Sequence, residues 1–366
     1  MAEETGGTGA LRAGCGAPRR LGVVLPNYNH GHCIARALEA LLAQDRPPDE
    51  IVIVDDASMD RSIDVIEGFI SRSAPIRLLR NEVNQGVARS LQRGLLASEA
   101  EYVYFAASDD WVLPGFFSLA LDVLARHPDA GFFCGDALLI DAATGGFYGY
   151  RPAVRPRYRS GRLGCEEVAG LLRTADNWIL TGSSVFRREL AVAEGGFAAD
   201  LDSFADGFLA RKIALRHGCC YAPAAVAAWC VSQDSVSRRN ARGAQKALAL
   251  LETVRGRIAA DPVFPAWYAD KFESRWRFAT LRLAMEETEP DADFIASMGA
   301  GSGADRVLMR SLSGLPGARV RRLAALAWFW YRWRPYRLID LAGTVASRWL
   351  QGASGRARGG LPGKSP

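Results

Sequence analysis

Two pairs of adjacent aspartates stand out, because each pair directly follows a short apolar run. Asp55 and Asp56 follow "IVIV", and Asp109 and Asp110 follow "YVYFAAS". Neighbouring carboxylates repel each other, and burial makes both harder to ionise. A divalent cation such as Mg²⁺ or Mn²⁺ would offset that repulsion, since hard oxygen ligands suit these ions, which often share one or two carboxylates with substrate phosphates. The pairs therefore predict a cation-assisted site for a diphosphate.

A third carboxylate, Asp206, lies in "SFADGFLARKIALRHG" near the predicted start of a helix. A single acid in such a place commonly caps a turn or a helix, and that reading stays open for each carboxylate taken alone. Two pairs at equivalent strand ends are harder to explain as caps. We therefore treat the pairs and Asp206 as candidates for one site.

The apolar pattern predicts the elements that would position these acids. Helical spacing, as at Ile34, Leu38 and Leu41, alternates with strand-like runs, which are "LGVVLP", "EIVIVDD", "IRLLRN", "EYVYFAASDD" and "AGFFCGDALLI". Such alternation predicts an α/β fold with a doubly wound, mostly parallel sheet and helices on both faces. In these folds ligands bind at the carboxyl ends of the strands. The segments "PNYN", "DDAS" and "SDD" all lie there.

The rest of the chain divides by composition. Residues 145–165 are rich in Gly, Pro, Arg and Tyr without periodicity, which predicts a loop or flap. Helical periodicity prevails after about residue 242 and predicts a helical extension. The predicted organisation is a disordered lead-in over 1–20, a globular domain over 21–240 with halves 21–136 and 137–240, a helical region over 241–350, and a disordered basic tail over 351–366.

Charge is unevenly distributed along the chain. The net charge is +5, but residues 301–366 contain twelve Lys and Arg against Asp305 and Asp340, which is +10 and leaves −5 for the first 300 residues. A basic tail attracts an anionic surface. The apolar segment "LAALAWFWY" (323–331) is too short to span a bilayer, so it either lies flat in a membrane interface or packs against the core. We predict peripheral contact with the inner face of the cell membrane.

The cysteines and the first residues bear on the compartment. Seven cysteines without regular spacing predict reduced thiols rather than a disulfide framework or a zinc site. The first twenty residues lack the basic-then-apolar order of a signal peptide. Both features favour a cytoplasmic protein.

Four segments together resemble a family 2 glycosyltransferase with the GT-A fold. They are "VVLPNYN", "IVIVDDASMD", "NEVNQGVARSLQRGL" and "YVYFAASDDWVLP", in that family's order and spacing. "NWILTGSSVFRREL", "EGGF" and "ADGFLARKIALRHG" extend the resemblance, which covers about residues 20–240. It implies an inverting transfer of sugar from a nucleoside-diphosphate sugar to an acceptor hydroxyl, assisted by Mg²⁺ or Mn²⁺.

The resemblance assigns donor-binding roles at the first two strand ends. Tyr28 would stack on the nucleotide base, and Pro26 and Asn29 belong to the same nucleotide-binding segment. Asp56 would bind the imide N–H of the base, which favours uridine and leaves thymidine and guanosine as alternatives. Asp55 would support the ribose side or cap the following turn.

The resemblance also assigns the reacting end of the donor and the acceptor side. Gly86 and Arg89 would lie along the diphosphate. In the segment "SDD", which resembles the family's DXD motif, Asp110 would ligate the metal and Asp109 would face the ribose or the donor sugar. Asp206 would be the catalytic base. On the acceptor side the candidates are Ser183 and Trp178, and Trp178 either stacks against a sugar or packs in the core.

Two departures from the family pattern bear on turnover. Ala205 stands where a Glu usually precedes the base, and Cys230 and Ser232 stand where an Arg-x-His stretch is common. These departures motivate an alternative, a catalytically silent nucleotide-binding protein with the same fold. "PNYNHGHC" argues against nucleotidyl transfer, and no GxGxxG follows the first strand, which argues against a dinucleotide oxidoreductase.

The expected partners follow from the resemblance and the charge. They are a nucleoside-diphosphate sugar and a glycan or lipid-linked acceptor, as in cell-surface polysaccharide or glycolipid assembly. Nucleic-acid binding would rest on the basic tail alone and is not expected.

Overall fold

The computed structural model describes residues 19–72, 74–231, 244–287 and 303–356, and a ten-stranded sheet forms its centre. The strands are β1 (Leu21–Asn27), β2 (Glu50–Asp55), β3 (Ile76–Arg80), β4 (Tyr102–Phe105), β5 (Trp111–Val112), β6 (Phe132–Asp141), β7 (Phe147–Arg151), β8 (Gly161–Leu163), β9 (Ser184–Arg187) and β10 (Cys219–Val231). Their order is β3-β2-β1-β4-β9-β6-β10-β5, with β7 beside β6 and β8 beside β10.

Helices follow most strands and continue to the end of the described chain. They are α1 (Ile34–Leu42), α2 (Ser62–Ile70), α3 (Val87–Ala97), α4 (Phe116–Arg126), α5 (Cys165–Thr174), α6 (Arg188–Ala193), α7 (Ala205–His217), α8 (Ala244–Ala260), α9 (Tyr268–Glu287), α10 (Gly303–Ser313), α11 (Ala318–Trp333) and α12 (Leu338–Arg356). No helix within the described residues is long and apolar enough to cross a membrane.

The half of the sheet that carries the acid pairs is parallel. β1 pairs in parallel with both β2 and β4, and β2 pairs in parallel with β3. β9 runs antiparallel between β4 and β6, and β10 returns parallel to β6. The predicted α/β fold with a largely parallel, doubly wound sheet is confirmed, and the carboxyl ends of β1, β2, β3 and β4 meet at one edge.

Alternating residues of the strands fill two cores, one on each face of the sheet. Leu21, Val23 and Leu25 of β1 pack with α1, α2 and α4, whereas Val24 packs with α3 on the other face. Burying each such side chain contributes about 1.5–3 kcal/mol. A Cβ on Gly94 would lie 2.3 Å from Val24 Cγ1, so only glycine lets α3 approach β1 this closely.

The predicted loop over 145–165 contains two short strands. β7 pairs with β6 and β8 pairs with β10, both antiparallel. The turn from β6 to β7 is closed by Asp141, whose side chain accepts hydrogen bonds from the backbone N–H groups of Ala143 and Thr144. Strands this short carry too few residues for a period of two to appear in the sequence, so the prediction of an irregular flap is wrong for this part.

The helices after residue 243 pack against the α/β domain. α8 and α9 contribute Leu250, Val254 and Tyr268 to one of its two cores. α11 packs Ala325 and Phe329 into a core with Phe278 of α9, whereas Leu323 and Tyr331 of the same segment are exposed. α12 continues to Arg356, past the predicted start of the tail at residue 351. The predicted lead-in up to residue 18, the boundary at 240 and the end of the tail from 357 lie outside the described residues.

Candidate active site

The loop after β1 is anchored on the loop after β2 and presents Tyr28 at the surface. Asn27 is buried and donates from its side-chain amide to Asp55 Oδ1 (2.9 Å) and Ser58 Oγ (3.2 Å). The backbone N–H of Asn29 donates to the same hydroxyl (2.9 Å). Tyr28, between these two anchors, is 42% exposed. Pro26 lies inside β1 opposite residue 54, so its contribution is to the strand that carries the loop.

The second acid of the first pair, Asp56, anchors the turn that precedes α3. Its buried carboxylate accepts hydrogen bonds from Asn81 Nδ2 (2.6 Å) and from the backbone N–H groups of Gln85 (2.9 Å) and Gly86 (2.8 Å). A carboxylate has about four acceptor positions, so one remains for a further donor. Asp55 instead holds its own turn by accepting from Ser58 N (3.0 Å).

The start of α3 has open space beside it. Gly86 has φ of 89°, a conformation that favours glycine, and no atom lies within 4 Å of the position that a Cβ would take. Arg89 is exposed one turn further along α3. The missing side chain at Gly86 permits close approach of a ligand, and a guanidinium such as that of Arg89 binds phosphate.

The second acid pair is held by two distant parts of the chain. Asp110 Oδ1 accepts a hydrogen bond from the backbone N–H of Cys230 at the end of β10 (2.7 Å). Arg36 of α1 donates to the carbonyl oxygen of Asp109 (3.0 Å), and its guanidinium lies 4.0 Å from the centre of the Trp111 ring. Burial, and then the charge of Asp109, raise the pKa of Asp110 well above its usual range.

The raised pKa of Asp110 bears on whether the acid pair could bind a metal ion. Negative charge at Asp110 is poorly compensated by the protein, and a divalent cation beside the two carboxylates would compensate it. Within the described residues no cluster of three or more His, Cys, Asp or Glu side chains is arranged to hold an ion. The pair therefore fits the kind of Mg²⁺ or Mn²⁺ site in which substrate oxygens and water complete the coordination.

Asp206 lies in the first turn of α7 and is partly buried. It accepts hydrogen bonds from the backbone N–H of Gly207 (2.6 Å) and from the side chain of Thr181. Burial raises the pKa of Asp206. Arg211 secures this end of the helix by donating to the carbonyl oxygens of Gly207 (3.0 Å) and Asp176 (2.7 Å). Asp206 is thus a rigidly held carboxylate with an enhanced affinity for protons.

The turn Thr181–Ser183 connects Asp206 with the acid pair. Thr181 contacts Asp206, and the carbonyl oxygen of the next residue, Gly182, accepts from Tyr104 Oη (3.1 Å) and Trp229 Nε1 (3.3 Å). Trp229 in turn precedes Cys230, whose backbone N–H binds Asp110. A continuous series of contacts therefore joins the two candidate reactive carboxylates.

The two residues assigned to the acceptor side have other surroundings. Trp178 and Ser183 are completely buried. Trp178 donates its indole N–H to the carbonyl oxygen of Ala175 (3.1 Å), and Ser183 donates to that of Gly135 (2.9 Å). Because their polar groups are bonded inside the core, the expectation of acceptor contact is corrected here to a structural role for both.

Sequence reasoning missed Arg36 and the backbone of Cys230. Cys230 acts through its N–H, which every residue except proline has, so no side-chain signal could identify it. Nothing in the sequence distinguishes Arg36 from other arginines, and its contact with Asp109 depends on how α1 packs beside β5. Ser232, the other departure from the family pattern, lies outside the described residues.

Comparison with known proteins agrees with this arrangement. Residues 22–169 match the family model "Glycosyl transferase family 2". The uncharacterized protein MT1568 of Mycobacterium tuberculosis is 30% identical over 213 residues, which is 56% of this chain and 64% of that relative. The chain thus spans less than two thirds of the length of this relative.

Solved structures show the same fold at low sequence identity. S. aureus TarS 1–349, solved with UDP, gives a TM-score of 0.56 at 16% identity and covers 86% of this chain and 91% of that one. The mannosyltransferase PcManGT from Pyrobaculum calidifontis, in complex with GDP-Man and Mn²⁺, gives 0.54 at 21% identity and covers 91% and 88%. Over residues 22–169 the chain matches glycosyl transferase family 2, and its fold is the GT-A fold of these structural neighbours, in agreement with the resemblance in the sequence.

Proposed function

We propose that the protein transfers a sugar from a nucleoside-diphosphate sugar to an acceptor hydroxyl, with inversion at the anomeric carbon. The observation that carries this proposal is the linked pair of Asp110 and Asp206. Each carboxylate has a pKa raised by burial, and the turn Thr181–Ser183 joins their surroundings. Strongly perturbed carboxylate pKa values often mark functional sites.

The donor is proposed to bind along the strand ends. Tyr28 would stack on the base, with Asn29 fixing its loop, and Asp56 would use its remaining acceptor position for the base. Gly86 and Arg89 would take the diphosphate. Complexes of the structural neighbours with UDP, UDP-GlcNAc and GDP-Man support a nucleotide-sugar donor without distinguishing the base.

Asp110 would ligate Mg²⁺ or Mn²⁺, with the charge of Asp109 beside it. The ion, when bound, would balance the negative charge of the diphosphate. Cys230 and Arg36 fix the turn that carries the pair, so the carboxylates are oriented before the donor arrives.

In the proposed reaction Asp206 takes the proton of the acceptor hydroxyl. The acceptor oxygen then forms a bond to the anomeric carbon, and the bond from that carbon to the diphosphate oxygen breaks, so the nucleoside diphosphate leaves with the bonding electrons. A single displacement with one base and no enzyme nucleophile inverts the configuration at the anomeric carbon. Positioning of the two substrates contributes to the rate alongside proton transfer.

Release of free nucleotide from a panel of nucleotide sugars tests the proposal. We expect one donor to release its diphosphate in the presence of Mn²⁺, and EDTA to abolish the release. The alternative, a silent nucleotide-binding protein, is motivated by Ala205 and by Cys230 at the departures from the family pattern. Calorimetric binding of a nucleotide without release, across donors and acceptors, would favour that alternative.

The pH dependence of turnover provides a second prediction. Asp206 must be ionised to accept a proton, and burial raises its pKa above the ordinary 3.8. Activity is therefore expected to fall as the pH drops through a value higher than 3.8. The measurement is kcat/KM against pH. A profile that stays flat down to pH 3.8 would contradict Asp206 as the base.

The acceptor and the location complete the proposal. We propose a glycan or lipid-linked acceptor, in cell-surface polysaccharide or glycolipid assembly, and a cytoplasmic protein at the inner face of the membrane. The described cysteines are all free thiols, which suits a reducing compartment.

A further inference from the structure

Helix α12 has its polar face turned towards the protein. Thr344 is completely buried and its hydroxyl accepts a hydrogen bond from the backbone N–H of Arg155 (2.9 Å). One turn later Ser347 Oγ accepts from Arg155 Nη1 (2.9 Å), and Gln351 Oε1 accepts from the same nitrogen (3.0 Å). The contacts that seat α12 are thus hydrogen bonds rather than apolar packing.

A buried ion pair lies beneath these contacts. Arg155 Nη2 is 2.6 Å from Asp136 Oδ2, and both side chains are almost wholly buried. Arg348 of α12 reaches the same carboxylate oxygen (3.4 Å) and donates to the carbonyl oxygen of Pro152 (2.6 Å). Breaking a buried pair of this kind is costly, so α12 is firmly fixed on the domain.

The opposite side of α12, here called its outer face, is apolar and exposed. Its spacing follows one side of a helix, and Ile339 and Trp349 are 75% and 69% exposed. The side chains of the outer face are Leu338, Ile339, Leu341, Ala342, Val345, Ala346, Trp349 and Leu350. A helix on a soluble surface normally shows the reverse arrangement, with apolar residues inward and polar residues outward. A contiguous exposed apolar surface of this kind marks an interaction site.

Basic residues precede this apolar face along the chain. Arg334 and Arg337 are exposed immediately before α12, and Arg319 is exposed at the start of α11. Residues 301–366 carry +10 against −5 for the rest of the chain. Within this segment Arg348, Arg337 and Arg332 lie in ion pairs with Asp136, Asp340 and Asp305.

We propose that the outer face of α12 docks on an anionic lipid bilayer, with the helix lying parallel to the membrane surface. An apolar stripe with a tryptophan, flanked by arginines, matches the boundary between acyl chains and anionic headgroups. The sequence predicts such contact for the basic tail and leaves two readings for segment 323–331, a membrane interface or a core. The structure places part of segment 323–331 against a core and leaves the following helix with the exposed apolar face.

Vesicle flotation of the full chain tests this proposal. We expect binding to vesicles of three parts phosphatidylcholine to one part phosphatidylglycerol, weaker binding at high salt, and little binding to phosphatidylcholine alone. The double variant Leu338→Ser/Trp349→Ser should lower the partition coefficient by about tenfold or more, since each buried apolar side chain contributes on the order of one tenfold step. The matched control is Leu96→Ser, because Leu96 of α3 and Leu338 are equally exposed at 57%.

Three outcomes would overturn the proposal. They are absence of binding by the wild-type chain, equal binding to neutral and anionic vesicles, and undiminished binding by a double variant that melts at the wild-type temperature. Sedimentation measured in parallel tests whether a second copy of the chain covers the outer face instead. A dimer that the double variant dissociates, together with no vesicle binding, would assign the outer face to a second copy of the chain. None of these readouts depends on sugar transfer.

Discussion

Replacing Asp206 with Asn is expected to lower kcat by about a hundredfold to ten-thousandfold, the range typical of a lost general base. Asn keeps the shape of the side chain and can still accept the hydrogen bond from Gly207, but it cannot take a proton. The nucleotide Kd should change little, because the donor is proposed to bind at the strand ends. The measurement is the rate of nucleotide release under saturating donor and acceptor, with calorimetry for the nucleotide.

The stability of this variant separates loss of chemistry from loss of folding. Burial raises the pKa of Asp206 in the folded protein above its ordinary value. Protonation of Asp206 therefore stabilises the folded state at low pH, and this contribution is lost as the pH rises through the folded-state pKa. Asp206→Asn should therefore unfold no more easily than the wild type at neutral pH. Asp200→Asn is the control, since Asp200 precedes α7 in an exposed ion pair with Arg257 (2.9 Å). Wild-type turnover by Asp206→Asn would remove the proposed base.

Replacing Asp110 with Asn is expected to lower Mn²⁺ affinity by at least about a hundredfold in the presence of nucleotide. A neutral amide replaces a carboxylate ligand, and loss of a mere supporting group already costs about 10–100-fold. Turnover should fall with it. Asn can accept the hydrogen bond from Cys230 N, so the turn is retained. Calorimetric titration of Mn²⁺ into the nucleotide-saturated protein measures the effect.

Two comparisons sharpen the Asp110 experiment. Asp109→Asn removes the neighbouring charge but leaves the proposed ligand, so its metal affinity should lie between those of the wild type and Asp110→Asn. Asp122→Asn, on α4, is a control that changes the net charge equally. Equal metal affinity in wild type and Asp110→Asn would reject the assignment of the metal to the acid pair.

The sequence predicted the strands and helices that position the site, because these elements depend on local patterns. Alternating β-branched runs and helical spacing predict parallel strands, and parallel strands bring Asp55, Asp56, Asp109 and Asp110 to one edge without any further information. The partners of these acids were not predictable in the same way. Asp110 is held by the backbone of Cys230, which is 120 residues away. Backbone contacts over such distances carry no side-chain pattern.

The burial of Trp178 could not be predicted from the sequence. A tryptophan near a predicted sugar site suggests stacking, but its burial is decided by the helices that cover it. The sequence also left both a membrane interface and a core open for segment 323–331, because hydropathy alone does not show which side of a helix is covered. In α11 Phe329 packs inward while Tyr331 stays exposed, whereas in α12 the side that faces the domain makes hydrogen bonds to Arg155.

The sequence by itself determined the class of fold, the family that the chain resembles, and the edge of the sheet at which acids gather, since periodicity and motif order are local properties. Only the tertiary structure decided which carboxylates are poorly compensated, which aromatic side chains are accessible, and which face of α12 remains exposed. Each of these depends on burial and on partners brought together from distant positions. Desolvation and hydrogen bonding act between neighbours in space, and the order of residues along the chain does not specify those neighbours.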